Sequence, residues 1–324
     1  MNIVYILGNG LDKAQGLATG YPDFYNYLLS DSTECSRLLK IMKEYISDDN
    51  ELWSDMEEAL GNFTEMSKDS VEFEQFYYEL SDYLQNYLNQ EEAKFTSSKE
   101  LKDKFEIDLA APNRHLGEID KQRFSSYTRK YTQNKDISII TLNYTNTIET
   151  ILSMTDFKEK SIINSSIVLR SLYHLHGRLG DSIIIGVDND AQIANLSFRE
   201  NEDIKDLLLK EQSNRAMQNI GQYKCEQIIN NAQVIVLFGV SLGETDARWW
   251  QLIGENLMRR NDLVVIEHLY LPDAVRSTRR QKLGSLDRSA TRRLLRKMNI
   301  TDIGRIEDIA NRLFFVFNSD AFRL

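Results

Sequence analysis

Two kinds of apolar spacing divide this chain. Short runs that are apolar at most positions fall at Asn2–Leu7, Ile137–Leu142, Ser166–Leu175, Ser182–Val187, Gln233–Gly239, Leu263–Glu267 and Leu313–Phe317. They are rich in Val, Ile and Phe, the pattern of strands buried on both faces of a mainly parallel sheet. Between the first two runs lie about 130 residues with a helical habit. There Tyr21–Ile46, Trp53–Phe63 and Phe73–Tyr87 carry spaced Phe, Tyr, Leu and Ile. The segment Leu101–Arg123, which contains Pro112, is expected to be irregular. The pattern predicts an α/β core of residues 1–20 and 131–324, with a helical insertion over 21–130 after the first strand.

Charge is distributed unevenly over this plan. From Asp31 to Asp108 there are 21 acidic and 8 basic residues, a balance of −13 that exceeds the −10 of the whole chain. This reads as the solvated acidic face of a helical cap. Over Ala274–Met298 the sign reverses: Arg276, Arg279, Arg280, Lys282, Arg288, Arg292, Arg293, Arg296 and Lys297 stand against the single acid Asp287. That stretch is either an ordinary basic helical surface, against which the insertion can pack, or a grip on nucleic acid or an acidic partner. The net charge argues against a protein that coats nucleic acid generally, because such binding rests on neutralising phosphates. No run approaches 18 apolar residues, and the N-terminus lacks the basic region and cleavage site of a signal peptide. Cys35 and Cys225 form no metal or redox motif. They read as reduced thiols of a cytoplasmic protein with no metal site.

Chemistry concentrates where predicted strands end. The first run stops on Gly8-Asn9-Gly10. A strand delivered into a glycine turn that opens a helix is how many α/β proteins cradle phosphate with backbone N–H groups. The dinucleotide fingerprint wants a third glycine three residues on, where Lys13 stands. Thr141-Leu142-Asn143-Tyr144-Thr145-Asn146-Thr147 crowds amides and hydroxyls at the end of the second strand. Open α/β sheets place ligand contacts there, and helix caps have the same composition. In Tyr173-His174-Leu175-His176-Gly177-Arg178, His176 falls at the sheet edge as a candidate general base, with His174 the structural one. No second cluster stands near enough in sequence to make the pair a metal site. Val234–Phe238 leads into Gly239-Val240-Ser241-Leu242-Gly243-Glu244-Thr245-Asp246. There Ser241 can meet a phosphate, Asp246 or Glu244 can meet a ribose, and Thr245 or Asp246 can cap a helix. Gly239-Val240-Ser241-Leu242-Gly243 also has the spacing of a serine-hydrolase elbow, for which only His268 follows as a base.

Taken together these pieces resemble the bacteriophage abortive infection AbiH family. The resemblance is carried by Gly8-Asn9-Gly10-Leu11-Asp12, Gly16-Leu17, Thr19, Tyr21 and Asp23-Phe24. Trp53-Ser54-Asp55-Met56-Glu57, Thr141–Thr145, His174–Gly177, Ile185-Gly186-Val187-Asp188 and Gly239–Asp246 continue it to about Trp250. The order is also similar to a sirtuin-like NAD fold, a Rossmann-like parallel sheet. By that likeness Asn143 matches the asparagine that positions the nicotinamide ribose, and His176 the catalytic histidine. The departures are Asn9 and Asp12 in the first loop and Thr145 where sirtuins have an acid. With two cysteines the chain lacks the zinc site of deacetylase sirtuins, so the resemblance implies NAD cleavage by water rather than protein deacylation. Implied nucleotide contacts are Gly8, Asn9, Gly10, Asp12, Ser241, Leu242 and Asp246. A toxic NAD hydrolase must be silent until infection, which implies a phage-derived trigger or regulatory partner and a closed or homo-oligomeric resting state. The rivals are a sensor that binds NAD or a nucleotide without cleaving it, an effector acting on nucleic acid, and a serine hydrolase.

Overall fold

The computed structural model describes residues 1–48, 55–131, 134–154, 161–164, 167–272 and 282–324. Trp53 and Ser54 of one motif, Ser166, and Ala274–Arg280 of the basic stretch lie outside the described residues. One sheet organises the rest. Its strands are β1 (Asn2–Leu7), β2 (Lys135–Thr141), β3 (Ser161–Asn164), β4 (Ile167–His174), β5 (Val234–Phe238), β6 (Val264–Leu269) and β7 (Leu313–Phe317), in the order β3-β4-β2-β1-β5-β6-β7. Six are parallel and β3 runs antiparallel at the edge. The fold is therefore α/β with a mainly parallel sheet, as the apolar runs predict. The order reverses between β1 and β5, and crevices at such reversals are where open α/β sheets receive ligands.

The innermost strands β1 and β5 are apolar almost throughout because they are covered twice. Ile3, Tyr5 and Leu7 of β1 face one cluster with Phe105, Phe124 and Phe314, while Val4 and Ile6 face another with Ile235, Trp250 and Leu294. Alternate residues point to opposite faces, so a strand buried on both must be hydrophobic at every position.

The run Ser182–Val187 is not a strand. Ile183, Ile185 and Val187 are buried against the insertion helices, and the chain makes only isolated bridges, Gly177 with Ile183 and Val187 with Leu209. Side chains and loops satisfy its backbone instead: Ile185 N–H donates to Tyr77 Oη, Tyr144 Oη–H donates to the Ile184 carbonyl, and Ile184 N–H donates to the His176 carbonyl. An apolar run reads alike whether a sheet or a helical layer buries it. The antiparallel edge strand β3 was not anticipated.

Leu101–Arg123 is also more regular than expected. Ser98 accepts a hydrogen bond from Leu101 N–H and starts a helix over Lys99–Ala110, whose Leu101, Phe105 and Leu109 reach the core. A second helix runs over Glu118–Thr128, and only the link around Pro112 is irregular. These two helices pack on the sheet. The helices Tyr21–Ser30, Arg37–Asp48, Met56–Phe63 and Ser70–Glu92 share a separate core with Ile183–Val187 and Phe198–Leu209. The cap is thus built from the insertion and from a second segment after β4.

Candidate functional site

A cavity of about 540 Å³ opens between this cap and the carboxyl ends of the parallel strands. β1 delivers Gly8, Asn9, Gly10 and Asp12, β2 delivers Asn143 and Thr145, and β5 delivers Ser241, Gly243 and Asp246. The turn after β4 delivers His176, while Tyr21, Asp55 and Glu57 come from the cap. Eight of the nine residues singled out in the sequence line this one space.

The exception is Leu242, whose side chain turns into the core cluster that holds Leu237 and Trp250. Its backbone is left-handed, with φ of 56°. The tight turn falls on Leu242 rather than on Ser241, unlike a nucleophile elbow that strains its serine. His268 Nδ1 hydrogen-bonds Ser319 Oγ rather than Ser241. Burial, with His115 beside it, lowers the His268 imidazole to about 3. These two findings remove the histidine on which a serine-hydrolase reading depended.

The glycine loop is arranged differently from a phosphate cradle. Gly8 N–H donates to the Phe238 carbonyl and Gly10 N–H to the Gly239 carbonyl, each at 2.9 Å. Both amides are occupied within the protein. The glycines instead let two loops cross: a Cβ on Gly10 would stand 2.4 Å from Gly239 Cα, and one on Gly8 would stand 2.6 Å from Gly239 O. Asn9 is likewise turned inward, its Nδ2 donating to the Thr19 carbonyl at 3.0 Å and its Oδ1 accepting from Thr19 Oγ1. This closes the 9–19 loop and leaves Ser241 and Lys13 exposed on the lining.

The deep wall carries polar atoms without partners. Asp12 is 1% exposed; its Oδ2 accepts from Thr145 Oγ1 at 2.7 Å, and its Oδ1 has no partner. Burial raises the Asp12 carboxyl, and the hydroxyls of Thr145 and Thr147 and the Asn143 amide hold the rise back. Thr145, the departure from the sirtuin pattern, therefore supports the buried acid. Thr145→Val is expected to cost about 1–3 kcal/mol, because the carboxylate loses a donor it cannot replace. The native state then holds the Asp12 proton to higher pH than the unfolded chain does, so stability declines as pH rises through that window. Urea unfolding of the variant should show a larger deficit at pH 8 than at pH 4.

Asn143 and His176 are buried too, at 8% and 4% exposure. Asn143 Oδ1 is unpartnered, and the backbone around it is fixed from behind. His174 Nδ1 lies 2.9 Å from the Asn143 carbonyl and its Nε2 lies 2.8 Å from Glu149 Oε1, which gives His174 its structural role. His176 Nε2 lies 2.9 Å from Asp246 Oδ1, but the ring is turned so that neither nitrogen completes a hydrogen bond. Buried polar atoms are normally paired, so three lining residues of one cavity with orphaned atoms are a specific pointer to a ligand.

Behind His176 sits a charge cluster that the sequence reading missed. Lys210 Nζ donates to Glu57 Oε2 at 2.8 Å, to Asp246 Oδ1 at 2.9 Å and to the Thr245 carbonyl at 2.9 Å. Thr245 Oγ1 also donates to Glu57 Oε2, at 2.9 Å. Burial pushes both carboxyls up, yet Lys210 and His176 outweigh it at Asp246 and hold that group well below the usual range. At Glu57 burial and the neighbouring Asp246 prevail and the carboxyl stays raised. Asp246 faces this cluster and makes no side-chain cap to the helix Ala247–Arg259. Glu57 stood within the Trp53–Glu57 motif, and Lys210 stood in none of the motifs.

The basic helix Leu283–Lys297 finds acids within the core rather than on the insertion. Arg293 pairs with the buried Glu267 of β6, and Lys297 with Glu244. Arg288, Arg292 and Arg296 face solvent. Among the described residues no helix is long and apolar enough to cross a membrane.

Fold and cavity together define an α/β protein with a capped pocket at the sheet's reversal, lined by the buried side chains of Asp12, Asn143 and His176. Residues 4–268 match the family model for bacteriophage abortive infection AbiH, and the chain belongs to that family. Membership points to a role in abortive infection, a form of antiviral defence. No curated protein matches the chain.

Proposed function

We propose that this protein is a cytoplasmic abortive-infection effector that hydrolyses NAD to nicotinamide and ADP-ribose when activated. The observation that carries the reading is that Asp12, Asn143 and His176, each buried and each with a side-chain polar atom lacking a hydrogen-bond partner, all belong to the lining of one cavity. Its volume falls in the range of small-molecule sites. Its exposed edge holds Lys13 and Ser241, suited to the charged phosphates, and its deep wall suits a ribose and an uncharged amide.

In this reading Asn143 and Asp12 orient the ribose hydroxyls and the attacking water. His176 takes the water proton as oxygen bonds to the ribose C1′. The C1′–N bond breaks with its electron pair passing to the nicotinamide nitrogen, whose positive charge is thereby neutralised. Developing positive charge on the sugar meets a wall that holds the carboxyl groups of Asp12, Asp55 and Asp246. Phage infection supplies the trigger, and a closed or oligomeric state keeps the site silent before it.

The test is nicotinamide release from NAD by purified protein, with and without phage lysate. Wild type should release nicotinamide, and Asn143→Ala should release it about 100-fold more slowly, the cost of losing orientation at the reacting centre. Retained NAD binding with no release under either condition would favour the non-cleaving sensor and overturn hydrolysis.

A further inference from the structure

We propose that Lys210 is a positioning residue of this site, joining Glu57 of the cap to Asp246 of the core and thereby fixing Asp246 against His176. The inference rests on the reading of His176 as the base. Its geometry is independent of that reading. Lys210 and Glu57 are each 6% exposed, and the ammonium reaches both carboxylates and the Thr245 carbonyl within 2.9 Å.

The three groups come from distant parts of the chain: the insertion, the segment after β4, and the loop after β5. None of them can be neutralised by water at this burial, so charge balance within the set decides its arrangement. With Lys210 present, two carboxylates share one cation and Asp246 remains ionised 2.9 Å from His176 Nε2. Without it, Glu57 and Asp246 confront each other unscreened, and either a proton enters or one side chain swings away. Both outcomes disturb the oxygen that faces His176. Among the described residues the other ionisable groups around the cluster are Tyr21, Tyr77, Tyr144, Asp55 and Asp188, with Glu211 and Arg248 on its far side; the Arg248 guanidinium is already paired with Glu211 and Glu226.

This makes a distinctive expectation about paired variants. Lys210→Met should lose about 100-fold in kcat for nicotinamide release while KM stays within about threefold, because orientation rather than substrate contact is lost. Adding Glu57→Gln removes the surplus carboxylate and should recover at least about tenfold, although the double variant carries more substitutions. A purely structural role for Lys210 predicts the reverse, with two damaged positions worse than one.

A second readout needs no substrate. Thermal unfolding of Lys210→Met between pH 5 and pH 8 should lose stability with rising pH, since its crowded carboxyls bind a proton more tightly folded than unfolded. In the double variant that slope should be clearly smaller than in Lys210→Met, because one buried carboxyl remains in place of two that face each other. If wild type releases no nicotinamide, the hydrolase reading falls and the unfolding comparison still decides whether Lys210 balances the cluster. If the single and double variants are equally impaired and their pH–stability curves coincide, the positioning role is overturned.

Discussion

His176→Ala is expected to lower nicotinamide release by about 100- to 10,000-fold, the range for removing a general base. The expectation follows from what the side chain does not do. It is almost wholly buried, yet neither ring nitrogen completes a hydrogen bond within the protein. A histidine retained for structure would be tied as His174 is, to a carbonyl on one side and a carboxylate on the other. Losing the His176 ring removes its packing and its 2.9 Å approach to the buried Asp246 carboxylate, which keeps its ion pair with Lys210. His176→Gln, which keeps most of the volume, should remain folded by circular dichroism and be comparably inactive. Release that survived both substitutions would show that the proton leaves by another route.

The sheet was legible because its chemistry is local. A strand covered on both faces must be apolar at consecutive positions, and β1, β5 and β7 lie within a residue of where their apolar runs fall. Ser182–Val187 shows the limit of the same rule. Ile183, Ile185 and Val187 are buried as deeply as strand residues, but by the cap's helices. Local apolarity reports burial and is silent on what does the burying. The helix Lys99–Ala110 was hidden for the opposite reason, since the charged residues between Leu101, Phe105 and Leu109 dilute a narrow apolar stripe.

The site divides along a similar line. Asn143, His176 and Ser241 could be read from the sequence because each follows a strand, and parallel strands bring their carboxyl ends together. Glu57 was one acid in a segment with 21 of them, and Lys210 one of 39 basic residues. Their pairing depends on a cap assembled from two segments about 150 residues apart, which no spacing rule anticipates. In hindsight the charged pair does leave a trace. Lys210 directly follows Leu207-Leu208-Leu209, and Glu57 stands among Met56, Ala59 and Leu60, so both are ionisable groups set in apolar surroundings. A charge buried in that way requires a partner.

Gly239→Ala should destabilise the protein by about 3 kcal/mol or more, from a left-handed backbone that disfavours side chains and from overpacking. Gly239 has φ of 67°, and a Cβ there would stand 2.6 Å from Gly10 Cα and 2.8 Å from its backbone N and C. Those are main-chain atoms of the opposite loop, so relief requires the two loops to separate. The hydrogen bond from Gly10 N–H to the Gly239 carbonyl would go with them. The measurement is calorimetric unfolding without nucleotide, and it distinguishes two roles for the glycine loops. A loop kept bare only to admit a phosphate would tolerate a methyl group until ligand arrives, and its variant would unfold like wild type while binding NAD more weakly. Loops kept bare to cross each other lose stability at once. Ser241→Ala supplies the contrast, since its exposed hydroxyl faces the cavity. That variant should unfold within about 0.5 kcal/mol of wild type, as surface substitutions do, while its affinity for NAD falls. If both variants instead unfold like wild type, the crossing of the two loops is not what the glycines are for, and the phosphate cradle regains its claim on Gly8 and Gly10.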